Sequence, residues 1–331
     1  DTLKTITEEL LTGKKIIIQG YYGVGKSMAL REAYKTISKL YRDKETYKFP
    51  IYLNLRDHHG QINPVEVLER HARNIGYKHP EHLVRAWRAG YALLILDGYD
   101  EIAAFGWAGK TSTLKDVRYK SMEVIREFFK QTPHKAGILL AGRINYFDSI
   151  KEMEKAFGAI SNLIYQIGDF TTEQVNNYLR KKGIKSNIPD WVPARPLLLG
   201  YLVANGILDD LVNKDGICTA AEGWDFLIDE VCNREALIEA GLMPETIREI
   251  LEGVASYVRK FQNGLGPVFQ DNLESVFIEK CGYPPDERAL VLLQRLPGLA
   301  SPDQQDGSRY FIDQQYVDAA KAGEVLRYIS N

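Results

Sequence analysis

The segment Gly20–Ser27, with the sequence GYYGVGKS, fits the pattern G-x-x-x-x-G-K-[ST]. Glycines at this spacing let backbone amides approach a polyphosphate, and the positive end of the following helix favours its negative charge. Lys26 would reach the β- and γ-phosphates, and the Ser27 hydroxyl would coordinate Mg²⁺. The pattern therefore predicts a site for ATP or ADP with Mg²⁺. The residues expected to contact the nucleotide are Gly20, Tyr21, Tyr22, Gly23, Val24, Gly25, Lys26, Ser27 and Met28.

Three carboxylates follow an apolar run about seventy residues further on. Leu93–Leu96 is typical of a buried strand, and Asp97, Asp100 and Glu101 come just after it. The carboxyl ends of parallel strands face the crevice in which open α/β sheets bind ligands. We expect this strand to neighbour that of the phosphate-binding loop, and Asp97 to hold Mg²⁺. Either Asp100 or Glu101 would orient or deprotonate the attacking water. A solvated acidic turn is the simpler alternative.

A third polar residue ends another apolar run. Arg143 follows Gly137–Gly142, which is also typical of a buried strand. At that position a fixed guanidinium would border the γ-phosphate, where it would stabilise transition-state charge or report whether this phosphate is present. The alternative is a surface ion pair, and the context of the other two motifs favours the sensing role.

Five short apolar runs alternate with helical patterns in the first half of the chain. This alternation predicts an α/β fold, a P-loop NTPase with a five-stranded, mostly parallel sheet. Helical patterns dominate after Phe170, and a strand candidate at Arg309–Ile312 favours a winged-helix-like end. We expect a P-loop NTPase α/β domain at 1–168, a helical domain at 169–222 and a winged-helix-like, α-rich domain at 223–331. The runs are Lys15–Gln19, Ile51–Leu55, Ala92–Leu96, Gly137–Ala141 and Leu163–Ile167.

Composition and charge disfavour several classes of protein. The 331 residues are 45% hydrophobic and include 42 basic and 44 acidic side chains, for a net charge of -2. This balance gives no sign of the excess of basic side chains that is typical of nucleic-acid-binding proteins. No apolar run approaches the ~20 residues of a membrane span, and we expect a cytoplasmic protein. The three cysteines form no C-x-x-C pair, so we interpret them as buried small hydrophobes.

Histidines occur in two close pairs, His58 with His59 and His79 with His82. These spacings raise the question of a zinc site, but no cysteine lies near either pair in the sequence. The first pair also follows a strand candidate in a predicted loop. We therefore interpret all four side chains as exposed to solvent.

Together these motifs resemble those of the NACHT-type signal-transduction (STAND) ATPases. The resemblance spans roughly residues 10–205, and the D-G-x-D-E form of its acidic motif is much more specific than a phosphate-binding loop alone. Pro196, in the run RPLLL, is similar to the proline that packs near the adenine in this family. The residues that carry the resemblance are Gly20–Ser27, Asp97–Glu101, Arg143, Phe170–Val175, Tyr178, Leu179 and Pro196.

The C-terminal part is similar to the winged-helix region of the same family. Leu296–Leu299 and Arg309–Ile312 resemble its leucine-glycine-leucine motif and its aromatic strand. Asp313 stands where members usually carry a histidine that contacts the β-phosphate of ADP, so the sequence departs from the family there. Members place this core between an N-terminal effector and a C-terminal repeat sensor. The chain begins at Asp1 and stops where that sensor would begin, so we expect a core excised from a longer protein.

The resemblance implies a molecular switch. In this family ADP holds a closed form, a ligand of the sensor releases it, and ATP favours an open form that assembles into homo-oligomers. It also implies slow, regulatory ATP hydrolysis and a role in innate immune or anti-phage defence.

Three alternatives remain: two other classes of NTPase and a nucleotide-dependent scaffold that does not hydrolyse ATP, which only its kinetics would distinguish. A GTPase normally selects guanine with N-K-x-D, whereas Asn213–Gly216 has its aspartate one place early and lies in a helical region. An AAA-type remodelling ATPase predicts a basic pore loop and continuous turnover that a partner stimulates. The balanced charge does not favour that alternative.

Overall fold

The computed structural model describes residues 2–21, 23–58, 60–102, 114–158, 163–184, 188, 193–204, 220–238, 242–261, 264–300, 308–311 and 314–330. The chain divides into two compact units. The first unit consists of Asp1–Gly20 and Lys26–Gln166, and the second consists of Tyr21–Gly25 and Ile167–Asn331. Each unit has a hydrophobic core of its own.

The first unit is built on a five-stranded sheet with the strand order β2-β3-β4-β1-β5. The pairs β1 with β4, β2 with β3, and β3 with β4 are parallel, which confirms the predicted α/β fold. Strand β4 lies between β1 and β3. The expectation that the acidic residues follow a neighbour of β1 is therefore wrong, because order along the chain does not fix order across a sheet. The strands are β1 (Lys15–Gly20), β2 (Phe49–Asn54), β3 (Ala92–Asp97), β4 (Ile138–Arg143) and β5 (Leu163–Ile167).

Sheet register brings three strand ends to one edge. Gly20 at the end of β1 pairs with Arg143 at the end of β4, and Asp97 at the end of β3 pairs with Ala141. Strand β4 is buried along its whole length, and β1 and β3 are buried over nearly all of theirs. Burial on both faces explains why these strands read as continuous apolar runs rather than alternating ones.

Two helices of the first unit begin where local chemistry predicts. The Asn63 side chain accepts a hydrogen bond from the Val65 amide, and Pro64 occupies the first helical position of α3. Ser149 caps α7 through the Glu152 amide. The helices are α1 (Thr2–Leu11), α2 (Lys26–Arg42), α3 (Pro64–Asn74), α4 (Pro80–Arg88), α5 (Leu114–Ser121), α6 (Glu123–Gln131) and α7 (Ile150–Phe157).

The second unit is mainly helical. Its two short strands, β6 (Leu299–Ala300) and β7 (Tyr310–Phe311), pair antiparallel, in keeping with the predicted winged-helix-like, α-rich end. The separate domains at 169–222 and 223–331 remain a proposal, and Asp313 lies outside the described residues. The helices are α8 (Thr172–Lys181), α9 (Pro196–Ala204), α10 (Ala220–Ile238), α11 (Pro244–Val258), α12 (Gln270–Cys281), α13 (Glu287–Gln294) and α14 (Gln314–Ser330).

One histidine differs from its sequence interpretation. His58 is only 3% exposed, and its Nδ1 lies 3.1 Å from Gln61 Oε1. The prediction that this side chain faces solvent is wrong, because β2 runs directly into a 3₁₀ turn that places the His58 ring near that of His71 on α3. His79 and His82 are exposed, as predicted, and His59 lies outside the described residues.

Two further sequence expectations concern cysteines and membranes. Cys232 is buried, as predicted, whereas Cys281 is only partly buried, and Cys218 lies outside the described residues. In the part of the chain that the structure describes, none of the helices combines the length and apolar character needed to cross a bilayer.

Candidate nucleotide-binding site

The predicted phosphate-binding loop joins a buried strand to a helix. Strand β1 ends at Gly20 and helix α2 begins at Lys26. Lys26 Nζ donates a hydrogen bond to the Gly20 carbonyl at 2.9 Å, so the ammonium is held at the end of β1. This is where a helix N-terminus and a lysine together favour a phosphate.

The remaining predicted contact residues differ in exposure. Val24 is buried, Tyr21 and Ser27 are half-buried, and the Met28 side chain is 56% exposed on α2. Burial raises the pKa of Tyr21, so this phenol stays neutral. Tyr22 lies outside the described residues.

Within the second unit, the loop residue Gly23 lies against the start of α9. The Leu197 amide donates to the Gly23 carbonyl at 3.0 Å, and Pro196 is the first residue of that helix. A Cβ at Gly23 would lie 3.0 Å from Leu197 Cβ and 3.3 Å from Arg195 Cδ, and the Gly23 φ is +77°. Glycine is therefore required at this position, because the backbone is in the left-handed region and a side chain would collide with Leu197 and Arg195. Pro196 thus directly precedes a residue that contacts Gly23, and its role near the adenine remains a prediction.

Asp97, the predicted Mg²⁺ ligand, has a partner that the sequence did not reveal. Tyr52 on β2 donates its hydroxyl to Asp97 Oδ2 at 2.5 Å. Burial, and after it the Asp97 charge, raises the pKa of Tyr52, so the phenol remains a donor. A carboxylate fixed at one oxygen, on the edge that also carries the end of β1, fits a hard cation that prefers oxygen ligands.

Asp100 and Arg143 form a buried ion pair. Arg143 Nε lies 3.0 Å from Asp100 Oδ2, and the Arg143 amide donates to Asp100 Oδ1 at 3.0 Å. Their side chains are 4% and 3% exposed. The surface ion pair considered for Arg143 is therefore wrong, and both Asp100 oxygens are engaged. Glu101 follows in the same 3₁₀ turn and is also buried.

Tyr99 fixes this turn on the sheet. Its hydroxyl donates to the Arg143 carbonyl at 2.7 Å and accepts from Gln19 Nε2 at 3.2 Å. A Cβ at Gly142 would lie 2.4 Å from the Tyr99 ring, so only glycine leaves room for it. Tyr99, the middle residue of the motif D-G-Y-D-E, thus connects β1, β4 and the acidic turn.

The structure therefore brings together, within the first unit, most of what the sequence predicted. Gly20, Lys26 and Ser27 lie at one end of the sheet that also carries Asp97 and Arg143. Sequence reasoning missed Tyr52 and the role of Tyr99. Tyr52 lies two residues before the end of β2, and its proximity to Asp97 could be inferred only by knowing that β2 pairs with β3.

A parallel sheet whose first strand leads through a glycine-rich loop into a helix, with carboxylates at the end of another strand, defines a P-loop NTPase. A sequence profile of the NACHT domain matches residues 14–186, over half of the chain. The chain belongs to the NACHT family of P-loop NTPases.

Solved structures similar to this chain have low identity and low TM-scores. The Aeropyrum pernix ORC1 protein in complex with DNA has 14% identity and a TM-score of 0.42, with 99% of this chain and 93% of that chain covered. AMPPCP-bound DnaA from Aquifex aeolicus has 14% identity and a TM-score of 0.36, with 89% and 85% covered. No curated protein sequence matches this chain.

Proposed function

We propose that this NACHT protein binds ATP or ADP with Mg²⁺ at Gly20–Ser27 and hydrolyses ATP slowly. Nucleotide exchange switches it between a closed ADP-bound form and an ATP-bound form that assembles into homo-oligomers. The family and the resemblance of the motifs support a role in innate immune or anti-phage defence. A ligand-sensing segment beyond this chain would control the exchange.

One observation carries the proposal: the ends of β1, β3 and β4 bring Lys26, Asp97 and the Asp100–Arg143 pair to one edge of the sheet. A triphosphate with its magnesium needs a cation on one side and oxygen ligands on the other. Both kinds of group are present, and each is held by a named partner. Preorganised groups of this kind stabilise developing charge effectively.

Each side chain then has a distinct task. Lys26 would exchange the Gly20 carbonyl for phosphate oxygens. Ser27 and Asp97 would hold Mg²⁺, and the ion would supply positive charge against the phosphates. Asp100 and Glu101 lie together in the buried turn beside Arg143, and either carboxylate would orient the attacking water. Asp100 keeps Arg143 in place.

Arg143 is the residue that distinguishes the two nucleotides in this proposal. With ADP bound it stays on Asp100, and with ATP bound it also contacts the γ-phosphate. A guanidinium is suited to this because its planar fork serves two acceptors at once. Shifting an equilibrium from 1:99 to 99:1 requires about 5.5 kcal/mol of differential affinity. The γ-phosphate contact and the sensed ligand would supply it together.

The first test is the nucleotide that remains bound after purification, identified by chromatography of the denatured protein. Retained ADP is the expected result. An empty site that turns over ATP continuously would instead favour an AAA-type remodelling ATPase. Competition between ATP and GTP in the same preparation tests whether the site prefers adenine or guanine. Preferential retention of GTP would contradict the proposal.

The second test is the oligomeric state, measured by light scattering during size-exclusion chromatography. The chain loaded with a non-hydrolysable ATP analogue is expected to form a larger species than the chain loaded with ADP. The Arg143→Ala variant should respond equally to both nucleotides. An identical response of the unmodified chain to both would contradict the switch while leaving nucleotide binding intact.

A further inference from the structure

Two exposed histidines and a glutamate share one short turn at the start of α4. The His82 amide donates to the His79 carbonyl at 2.9 Å, which closes the turn, and Pro80 is the first residue of the helix. Proline fixes its own φ and restricts the residue before it, so this backbone is stiffer than an ordinary loop. We name His79, Glu81 and His82 the His-Glu-His turn.

The three side chains converge on one point. Glu81 Oε1 lies 3.6 Å from His79 Nδ1 and 3.6 Å from His82 Nε2. The two imidazole rings are nearly parallel, with centroids 5.0 Å apart and planes inclined by 19°. One donor atom from each residue lies within 4.8 Å of the other two.

We propose that the His-Glu-His turn is a binding site for a divalent transition-metal ion of the Zn²⁺ class. Zinc binds imidazole nitrogen and carboxylate oxygen at about 2.0–2.2 Å, so donor atoms of a tetrahedral site lie about 3.3 Å apart. The two nitrogen-to-oxygen distances of 3.6 Å are close to that value. Small rotations of exposed side chains therefore suffice to enclose an ion.

The donor set also decides the class of ion. Two imidazoles and one carboxylate suit Zn²⁺, Ni²⁺, Co²⁺ or Cu²⁺, whereas Mg²⁺ and Ca²⁺ prefer oxygen ligands alone. Three protein ligands leave a coordination position for water or for a donor from another molecule. All three side chains are at least half exposed, so the ion would exchange with solvent.

The site is separate from the nucleotide chemistry in sequence and in ligand type. Glu81 Oε1 lies equally close to both imidazoles, so the two rings share one carboxylate oxygen. A cation bound to all three satisfies both rings and the carboxylate together. Arg85 is the neighbouring positive charge that acts on Glu81, and it opposes the metal.

Calorimetric titration of the complete 331-residue chain with Zn²⁺, in a buffer with excess Mg²⁺, tests the proposal. We expect a saturable site that the His79→Ala/His82→Ala double variant loses. Glu81→Gln should weaken binding by about tenfold or more, since loss of a supporting group at metal sites costs 10–100-fold. Arg85→Ala should strengthen it.

The matched control is His134→Ala, which removes an exposed histidine from another part of the same unit and should leave Zn²⁺ binding unchanged. Co²⁺ gives a second readout, because its visible spectrum reports coordination by the protein, and this signal should vanish in the double variant. Circular dichroism checks that each variant is folded. Unchanged Zn²⁺ affinity and stoichiometry in the double variant, or no saturable binding by the unmodified chain, would overturn the proposal.

Discussion

Each unit of this protein buries an arginine against a carboxylate, but the two pairs have different surroundings. In the first unit, Arg143 holds Asp100 at the carboxyl end of a parallel sheet, on the strand beside β1. In the second unit, Arg295 lies 2.9 Å from Glu235, and neither side chain is exposed at all. Arg295 follows α13 and Glu235 lies on α10, within a helical core. We infer that the first pair responds to a ligand and the second is fixed structure.

The largest expected effect comes from breaking each pair in turn. Asp100→Ala and Glu235→Ala each remove a carboxylate that contacts a buried guanidinium, which costs about 3–5 kcal/mol of stability. If the γ-phosphate is a second partner for Arg143, an ATP analogue should restore more of the melting temperature of Asp100→Ala than ADP does. For Glu235→Ala the two nucleotides should act alike, because Arg295 gains no new partner.

Differential scanning fluorimetry with saturating ATP analogue or ADP measures this contrast. The unmodified chain is the control for stabilisation by nucleotide binding itself. If both nucleotides restored the melting temperature of Asp100→Ala equally, Arg143 would have a structural role like that of Arg295. The proposed difference between the two pairs would then be wrong.

The next largest effect concerns Lys26. Lys26→Ala should weaken ATP and ADP binding by at least about 100-fold, because each lost charge-assisted hydrogen bond contributes about 1.5–3 kcal/mol. Lys35→Ala is the matched control, since Lys35 lies on the same helix and its side chain is 67% exposed. Calorimetry measures both, and undiminished affinity in Lys26→Ala would remove the phosphate-binding role.

A smaller effect is expected at Tyr52. Tyr52→Phe removes the hydrogen bond to Asp97 and should raise the Mg²⁺ concentration needed for half-maximal ATP hydrolysis by up to about tenfold, since one hydrogen bond contributes about 0.5–1.5 kcal/mol. Tyr34→Phe, at the neighbouring ring, is the control. A Mg²⁺ requirement that shifts equally in both variants would show that Tyr52 does not orient Asp97.

The smallest expected effect is a difference between the two units in how their stability depends on pH. Burial, and after it the nearby His58, lowers the pKa of His71 from its ordinary value of 6.5. Between the lowered value and 6.5 the unfolded chain binds more protons, so stability of the first unit falls as the pH drops through 6.5. All six histidines precede residue 135, so the second unit has none.

Amide hydrogen exchange measures this difference. Protection of β3 should fall between about pH 7.5 and about pH 5.5 after correction for intrinsic rates, whereas protection of α11 should not. His71→Asn should flatten the response of β3, because asparagine does not titrate. A response of the same size in α11 would point to carboxylates instead.

The sequence by itself determined the main elements and the family of this protein. The motif Gly20–Ser27, the five apolar runs and the acidic strand end were all legible, and the α/β fold and the NACHT family are confirmed. These features are legible because they are local: a loop motif has fixed spacing, and buried parallel strands are continuous apolar runs. The roles of Asp100, Glu101, Arg143 and Pro196 remain proposals.

Tertiary structure alone decided which groups meet. It placed β4 between β1 and β3, paired Asp100 with Arg143 across 43 positions, and brought Tyr52 to Asp97. It also buried His58, which the sequence had left in a loop. Such contacts depend on strand order and register, which are set by how the whole core packs, and no short segment of sequence encodes them.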